Sequence, residues 1–316
     1  MESAIKAENL TKRYTSKNRA PAIEDVSFAI PQGILYGLVG PDGAGKTTIL
    51  RILSSVMNTT SGNAWVSGFN VRNQAEEVRR HLGYMPQNFS LYPDLNIMEN
   101  LNFFADIQHV PAAEKQQRIE EMLSITQLEK FTKRRAGNLS GGMKKKLALA
   151  CAMVHNPRVL ILDEPSTGVD PVSRRELWVL LARVVQIGVT VLVSTPYMDE
   201  AERCHQVGIL YQGKILTSGS PEALTSNLPF EILEVKAKPR KLMRQVIAES
   251  NDVLDWNPVG DRIRVLVSGN GASEKALRSL KVQLKQSKAE IITLRHTRRT
   301  MEDAFVHLVK QQRGAL

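Results

Sequence analysis

A glycine-rich segment that ends in lysine and threonine carries the clearest potential for chemistry in this chain of 316 residues. Residues 40–47 read GPDGAGKT, which fits the phosphate-binding pattern G-x-x-x-x-G-K-[ST]. Apolar runs at residues 34–39 and 48–53 predict a buried strand before it and a helix after it. The inward N–H groups of such a loop and the positive end of the helix dipole bind phosphate oxygens. The segment therefore predicts a nucleotide phosphate site, with Lys46 directed at the β- and γ-phosphates and Thr47 at Mg²⁺.

Further motifs occur on both sides of this loop. Residues 139–143 read LSGGM, residues 159–164 read VLILDE, and residues 166–170 read STGVD, while Gln87 lies in YMPQN and Tyr14 in TKRY. With the phosphate loop they resemble the signature, Walker B, D-loop, Q-loop and aromatic-loop motifs of ATP-binding-cassette (ABC) ATPases, whose usual signature is LSGGQ. The resemblance covers about residues 5–225, and by it the chain is identified as an ABC nucleotide-binding domain.

The resemblance implies ATP and Mg²⁺ as cofactors and a role for each matching residue. Tyr14 stacks on adenine, and Glu164 orients or deprotonates the attacking water. Loose phosphoryl-transfer transition states need positioning and charge neutralisation more than covalent help. The expected catalytic residues are Glu164, Gln87 and Lys46, and the expected Mg²⁺ ligands are Thr47, Gln87 and Asp163. The expected nucleotide-binding residues are Tyr14, Gly40, Pro41, Asp42, Gly43, Ala44, Gly45, Lys46, Thr47, Thr48, Ser140, Gly141 and Gly142.

Two such domains close head to tail around two ATP molecules in this family. Ser140 and Gly142 would then contact the γ-phosphate bound by the opposite domain. Ser140 lies where a helix is predicted to begin, and the first turn of a helix presents free N–H groups to an anion. Lys144, Lys145 and Lys146 add positive charge to this helix, and we expect at least one of them to point to solvent. The implied partners are membrane-spanning permease subunits and a second ABC ATPase domain.

One residue departs from the family pattern. After VTVLVST the family places a histidine that bonds the γ-phosphate, whereas this chain has Pro196. Proline has no side-chain donor and no backbone N–H. Tyr197 is adjacent, but neighbouring residues do not share a direction. We therefore expect the chain's own site to bind ATP well and to hydrolyse it slowly; the competing expectation is that Glu164 sustains normal turnover.

The elements that must position these residues have an α/β pattern. The resemblance implies a P-loop NTPase fold, in which a RecA-like core carries a β lobe and a helical subdomain, here residues 88–156. Asn96 and Glu99 predict a capping box that opens a helix in this subdomain. Phe89, Leu91 and Tyr92, close to the Q-loop, are candidate contacts for the membrane partner, although one or two of them are as readily core residues. The ABC domain is expected to cover residues 1–227.

Residues 228–316 are expected to form a separate α+β domain. Their alternating and helical segments follow the order β-α-β-β-α-β, which is ferredoxin-like. Thr300 and Asp303 are expected to cap a last helix. This extension, with its TMEDAFVHL segment, resembles ATP-binding subunits of ABC-2 exporters, which move drugs, lipids, polysaccharides or other hydrophobic cargo. The segments GPDGAGKTT and DPVSRRELW are similar to the first module of exporter ATPases that carry two cassettes in one polypeptide.

Composition limits the remaining alternatives. The net charge is +10, and residues 230–316 contribute 17 Lys and Arg against 10 Asp and Glu. No apolar run approaches the roughly 18 residues that span a bilayer, and the first residues lack the apolar core of a secretory signal. With this pattern, the resemblance to ABC transporters implies a peripheral protein on the cytoplasmic face of the inner membrane. Cys151 and Cys204, both in helix-like contexts, are expected to be buried thiols.

The sequence thus predicts the ATP-binding and ATP-hydrolysing subunit of an ABC-2 exporter. One alternative is a soluble ABC protein acting on ribosomes or nucleic acid, for which the basic charge is the only argument. No nucleic acid partner is expected, because the chain shows one cassette and lacks aromatic residues interleaved with its basic ones. The other alternative is a non-hydrolysing regulatory ATP-binding module, which Pro196 favours and the retained Glu164 opposes.

Overall fold

Short apolar stretches bounded by turn residues form the strands of this chain, and longer amphipathic segments form its helices. The computed structural model describes residues 3–14, 20–88, 90–269, 271–312 and 314. The chain divides into two units, Met1–Pro221 and Glu222–Leu316. Among the described residues, no helix combines the length and apolar character needed to cross a membrane.

The chain up to Ser226, which takes in the first unit and a last helix that begins at its final residue, contains ten strands, eight helices and two short 3-10 turns, Glu129–Phe131 and Ala136–Asn138, among its described residues. Its strands are β1 (Ser3–Lys12), β2 (Ile23–Pro31), β3 (Leu35–Val39), β4 (Ser61–Val66), β5 (Phe69–Asn70), β6 (Leu82–Met85), β7 (Val159–Asp163), β8 (Thr190–Thr195), β9 (Gln206–Tyr211) and β10 (Lys214–Gly219). Its helices are α1 (Lys46–Leu53), α2 (Ala75–His81), α3 (Ile97–Ile107), α4 (Ala112–Thr126), α5 (Gly141–Met153), α6 (Pro171–Gln186), α7 (Met198–Ala201) and α8 (Pro221–Ser226).

A six-stranded sheet in the order β10-β9-β3-β8-β7-β6 positions the predicted motifs. Neighbouring strands from β9 to β6 are parallel, and β10 pairs antiparallel with β9. Strands β3, β7 and β8 are buried at every residue, as their continuous apolar runs predict for a covered parallel sheet. Because these strands are parallel, the segments that follow β3, β6, β7 and β8 emerge at one edge of the sheet, where α/β proteins bind ligands.

A second, antiparallel sheet in the order β2-β1-β4-β5 forms the β lobe. Its inward residues, including Ile5, Leu10 and Val26, are buried in one cluster with Ile49 and Leu53 of α1. The helix that follows the phosphate loop is therefore anchored between the lobe and the parallel sheet.

The helices between β6 and β7 begin as the sequence predicts. The Asn96 side chain accepts from the Glu99 N–H at 2.8 Å, and the Glu99 carboxylate accepts from the Asn96 N–H at 2.7 Å. Ser140 caps α5 by accepting from the Met143 N–H at 3.3 Å. These three bonds satisfy N–H groups that would otherwise lack partners at the starts of α3 and α5.

The second unit has the predicted ferredoxin-like order. Its sheet runs β12-β13-β11-β14 with every neighbouring pair antiparallel, and one face is covered by α9 and α10 around a cluster that includes Leu233, Val265 and Leu280. Thr300 and Asp303 form the predicted cap of the last helix, with the Thr300 N–H donating to Asp303 at 2.7 Å. The elements are β11 (Phe230–Lys238), α9 (Arg240–Glu249), β12 (Val253–Val259), β13 (Arg262–Ser268), α10 (Ala272–Gln286), β14 (Glu290–Thr297) and α11 (Met301–Gln312).

The two cysteines are buried free thiols, as predicted. Burial raises the pKa of Cys204 to about 12 and that of Cys151 still further, so neither thiol ionises at neutral pH. One detail of the prediction is wrong: Cys204 follows the end of α7 in a bend rather than in a helix. The helix stops at Ala201 because residues 202–205 turn the chain into β9.

Candidate functional site

The phosphate loop connects β3 to α1, as predicted from its pattern. Gly45 has φ 108°, and a Cβ there would lie 2.6 Å from the Ala22 carbonyl oxygen. A Cβ at Gly40 would lie 2.2 Å from the Leu210 carbonyl oxygen. These two glycines are thus required by close backbone approach within the fold. Among the described residues no side chain caps α1, so the start of this helix keeps its N–H groups for another acceptor.

Lys46 is the first residue of α1, and its side chain points back into the phosphate loop that precedes this helix. Its side chain is 4% exposed, and its ammonium donates to the carbonyl oxygens of Gly40 at 2.8 Å and Pro41 at 3.1 Å. The same ammonium is 3.2 Å from Oε1 of Glu164. The lysine is therefore held in place by the loop while its charge faces the end of β7.

The carboxyl end of β7 brings two acidic residues to this loop, and the end of β8 brings a serine. Oδ1 of Asp163 accepts from the Thr47 hydroxyl at 3.1 Å and from the Ser194 hydroxyl at 2.7 Å. Ser194 also accepts from the Glu164 N–H at 3.0 Å. Ser194 was not a predicted site residue; its only signal in the sequence is a hydroxyl near the end of an apolar strand.

Glu164 is the residue at which most contacts of the site meet. Its main chain is left-handed (φ 46°), a conformation that a non-glycine residue adopts at a cost of about 1–2 kcal/mol. Its Oε2 accepts from the Gln87 amide nitrogen at 2.9 Å and from the Thr167 hydroxyl at 3.3 Å. The predicted catalytic residues Glu164, Gln87 and Lys46 are therefore in direct contact, and Thr167 is a further contact that motif matching did not single out.

A cavity of about 330 Å³ opens over this arrangement. Its lining includes Asp42, Gly43, Gly45, Lys46, Thr47, Thr48, Gln87 and Glu164, all of them predicted site residues. Within the described part of the chain no group of three or more His, Cys, Asp or Glu side chains is placed to hold a metal. The oxygens available to a hard cation are those of Thr47 and Asp163, and the amide oxygen of Gln87, which its bond to Glu164 does not use.

Tyr14 lies beside the phosphate-loop helix. Its hydroxyl is 3.3 Å from Oγ1 of Thr48 and 3.4 Å from Sδ of Met57, and half of the residue is exposed. This placement leaves an aromatic face at the start of α1, as stacking on an adenine requires.

The signature residues stand apart from this cavity, since none of the three is among its lining residues. Ser140 and Gly141 are exposed, whereas Gly142 is buried against α6, where a Cβ would lie 2.4 Å from Oγ of Ser173. Gly142 is thus needed for helix packing as well as for any anion contact.

The three lysines of α5 are all partly buried, and each keeps some exposure to solvent. Lys146 is 2.8 Å from Glu176 on α6, and Lys145 donates to the Gln87 carbonyl oxygen at 3.0 Å. Burial lowers the pKa of Lys145, and the nearby carboxylates of Glu164 and Asp163 oppose that shift. Glu176 of α6 and the main chain of Gln87 therefore provide polar partners for two of these lysines.

The segment after β8 is tied to α6. The Tyr197 ring lies 4.7 Å from the Arg174 guanidinium carbon, so this side chain is directed at α6. Glu200, fully buried, accepts from Arg174 at 2.6 Å, from Thr195 at 2.5 Å and from the Trp178 indole at 3.0 Å. Pro196 is partly buried between these contacts. This cluster was not predicted, because its members are distant in sequence.

Comparison with known proteins places this arrangement in a family. The family model described as "ABC transporter" matches residues 23–167. Nod factor export ATP-binding protein I of Burkholderia thailandensis is 36% identical over 246 residues, which cover 77% of this chain and 80% of that protein. The chain belongs to the ABC transporter ATP-binding family.

Other relatives of this ABC chain carry related names. Probable multidrug ABC transporter ATP-binding protein YbhF of Escherichia coli is 38% identical over 98% of this chain and 52% of that protein. Daunorubicin resistance ATP-binding protein DrrA2 of Streptomyces coeruleorubidus is 35% identical over 82% of this chain and 80% of that protein. The chain thus spans about half the length of YbhF.

Solved ABC structures share the fold of the first unit. An ATP-binding subunit of an ABC transporter is 28% identical, with a TM-score of 0.64, and covers 71% of this chain and 92% of its own. A dimeric ATP-binding cassette in a post-hydrolysis state, bound to ADP and Pi, is 26% identical, with a TM-score of 0.62 over 68% of this chain and 98% of its own. These neighbours confirm the predicted P-loop NTPase fold.

The ABC unit has a second cavity, of about 390 Å³, beside the Q-loop. Pro86, Leu91, Phe104, Ile107 and His109 are among its lining residues. Leu91 is buried, Tyr92 is half exposed with its ring edge-on to Phe103, and Phe89 lies outside the described residues. Leu91 is thus a core residue, whereas Tyr92 stays a candidate contact for the membrane partner.

Proposed function

We propose that this chain is the ATP-binding and ATP-hydrolysing subunit that powers an exporter of the ABC-2 class. The observation that carries the proposal is the direct contact of Lys46, Gln87 and Glu164 at the carboxyl edge of the parallel sheet. Relatives named for multidrug transport, Nod factor export and daunorubicin resistance support a drug, a lipid or another hydrophobic molecule as cargo.

The donor set fits Mg-ATP. Lys46 presents a buried positive charge inside the loop, and the uncapped start of α1 adds N–H donors for phosphate oxygens. Thr47 and Asp163 already share a hydrogen bond at 3.1 Å, so their oxygens converge on one point where Mg²⁺ would be held, with Gln87 completing the set. The metal, when bound, neutralises phosphate charge. The half-exposed ring of Tyr14 provides the stacking surface for adenine.

Glu164 has the position of a residue that orients or accepts a proton from the attacking water. Its carboxylate is held by Gln87 and Thr167 on Oε2 and by Lys46 on Oε1, which fix its direction and leave one lone pair of Oε1 available. Hydrolysis then depends on positioning and on neutralising charge, as phosphoryl transfer requires.

Ser140, Gly141 and Gly142 act on the nucleotide of a second ABC domain in this proposal. They lie outside the lining of the chain's own cavity, and the dimeric state of a related cassette bound to ADP and Pi supports such sharing. Pro196 gives the pair an asymmetric character: this chain contributes an intact signature to its partner, while its own site binds ATP and hydrolyses it slowly. The partner is a second cassette, in the same or another polypeptide.

The membrane partner docks at the Q-loop cavity. Its apolar lining by Leu91, Phe104 and Ile107 lies next to Gln87, so a permease segment seated there is mechanically connected to the nucleotide site. The chain would then work as a peripheral subunit on the cytoplasmic face of the inner membrane.

The nucleotide site is tested by removing the buried ammonium. We expect Lys46→Ala to weaken Mg-ATP binding by about 1.5–3 kcal/mol, the range for a hydrogen bond to a charged group. Calorimetric titration of the full chain measures the change. Lys115→Ala, which removes a lysine paired with Asp106 away from the site, should bind as the unmodified chain does. Equal affinities for all three proteins would refute the site assignment.

A second prediction concerns the proposed domain boundary at residue 227. A fragment of residues 1–227 should fold and bind Mg-ATP with nearly native affinity, because Leu228 packs with Phe230, Ile232 and Ala304 of the second unit. Circular dichroism and calorimetry check folding and binding in the same sample. A fragment that is folded but does not bind nucleotide would show that the C-terminal residues belong to the site.

A further inference from the structure

Lys145 connects the signature helix to the Q-loop. It lies on α5, whose first residue follows the Ser140 cap, and its ammonium donates to the main-chain oxygen of Gln87 at 3.0 Å. The side chain of that same glutamine donates to Glu164 at 2.9 Å. A continuous path of hydrogen bonds therefore runs from the signature helix through one residue of the Q-loop to the carboxylate.

Gln87 needs such an anchor. Strand β6 ends at Met85, so Gln87 lies beyond the bonds that hold the parallel sheet together. Its side chain must nevertheless keep one amide group within bonding distance of Glu164. A displacement of about 1 Å at such a group is enough to cost a large factor in function.

The ammonium of Lys145 is suited to this task. The side chain is partly buried, which costs rotamer entropy and hydration that a solvent-facing lysine would keep. A carbonyl acceptor at 3.0 Å and two nearby carboxylates, Asp163 and Glu164, offset part of that loss. The neighbouring Lys146 is paired with Glu176 on α6, so it provides a matched cation on the same helix that does not touch the Q-loop.

We propose that Lys145 is a positioning residue that holds Gln87 in place beside Glu164 and beside the side-chain oxygens that would hold Mg²⁺. The proposal rests on the proposed ATPase function of this cassette. It adds that a residue of the helix carrying the signature holds the Q-loop of the same chain.

The test uses three variants of the full chain: Lys145→Met, Lys145→Arg and Lys146→Met. Calorimetry measures the affinity for ATP with Mg²⁺ and for ATP with EDTA, and neither measurement needs turnover. Lys145→Met should bind Mg-ATP about tenfold more weakly, as loss of a partner that orients a metal ligand typically does. Its affinity for ATP in EDTA should be unchanged. Lys145→Arg, which can donate to the same carbonyl, should restore Mg-ATP affinity, and Lys146→Met should bind normally.

A readout without nucleotide accompanies the titration. Hydrogen–deuterium exchange at residues 85–88 should accelerate in Lys145→Met and remain unchanged in Lys146→Met, because only the first substitution frees the Q-loop. Thermal unfolding should be alike in both methionine variants.

Three results would overturn the inference. In the first, Lys145→Met has the same Mg-ATP affinity as Lys146→Met. In the second, it weakens ATP binding equally with and without Mg²⁺. In the third, Lys145→Arg fails to restore Mg-ATP binding. If the unmodified chain binds no ATP at all, the proposed function itself is wrong, and this inference falls with it.

Discussion

Pro196→His is expected to raise ATP turnover of the purified chain by about 10²-fold, because one pre-placed donor to developing charge is typically worth ~10²–10³ in rate. The substituted position is close in the chain to a residue that contacts the acidic groups of the site. Residue 196 directly follows β8, two residues after Ser194, whose hydroxyl bonds both Asp163 and the Glu164 main chain. By the family pattern an imidazole at this position would bond the γ-phosphate, and steady-state phosphate release measures the gain.

Two control variants distinguish the effect of the added imidazole donor from the effect of removing the proline. Pro196→Ala removes the proline without adding a donor and should leave turnover low. Tyr197→His adds an imidazole one residue later, where the native ring faces Arg174 at 4.7 Å, and should also leave turnover low. Equal gains in Pro196→Ala and Pro196→His would mean that proline acts through the backbone alone. A high rate in the unmodified chain with no gain from histidine would refute the degenerate site.

Ser140→Arg is expected to abolish the ATPase activity of the assembled transporter while leaving ATP binding to the isolated chain intact. The residue is exposed at the start of α5, and it lies outside the lining of the chain's own nucleotide cavity. An arginine there places a bulky cation where a partner's γ-phosphate would meet the helix N-terminus. Activity is measured on the complex co-purified from membranes, and binding by calorimetry on the isolated chain.

Loss of the helix cap must be distinguished from blockage of the anion site. Ser140→Ala removes the same hydroxyl, which accepts from the Met143 N–H at 3.3 Å, at a cost of about 1 kcal/mol in stability. It should retain a substantial fraction of the activity that Ser140→Arg loses, at a similar thermal midpoint. Lost binding in the isolated arginine variant, together with normal activity of the assembly, would show that the signature does not act across an interface.

Local features of the fold were predictable because short-range physics decides them. Asn96 with Glu99 and Thr300 with Asp303 form caps from residues three apart, and any helix that starts there uses them in the same way. The apolar runs of β3, β7 and β8 predict buried strands because each residue must lose water on both faces of the sheet. Helix α2 was not predicted, since Val78 is its single buried residue and it offers little periodicity.

The nucleotide-binding motifs could also be recognised from the sequence, because their geometry is local. A phosphate loop depends on consecutive residues, so the pattern of residues 40–47 carries its own geometry, including glycines at positions where a Cβ would collide with Ala22 or Leu210. The family and the fold class followed from these motifs and their order, and the comparisons confirm both. The roles assigned to single residues stay predictions that the variants above address.

What only the tertiary structure decided is which distant groups meet. Gln87, Glu164 and Lys46 come from three different segments, and their contacts of 2.9 and 3.2 Å exist because β3, β6 and β7 end at one edge of a parallel sheet. The bond from Lys145 to Gln87 joins two residues 58 positions apart, and nothing in the run of three lysines distinguishes the middle one. Sequence patterns record the periodicity of one element, whereas such pairings depend on how elements pack. The chain by itself therefore determined the kind of site, and packing determined which side chains hold it in place.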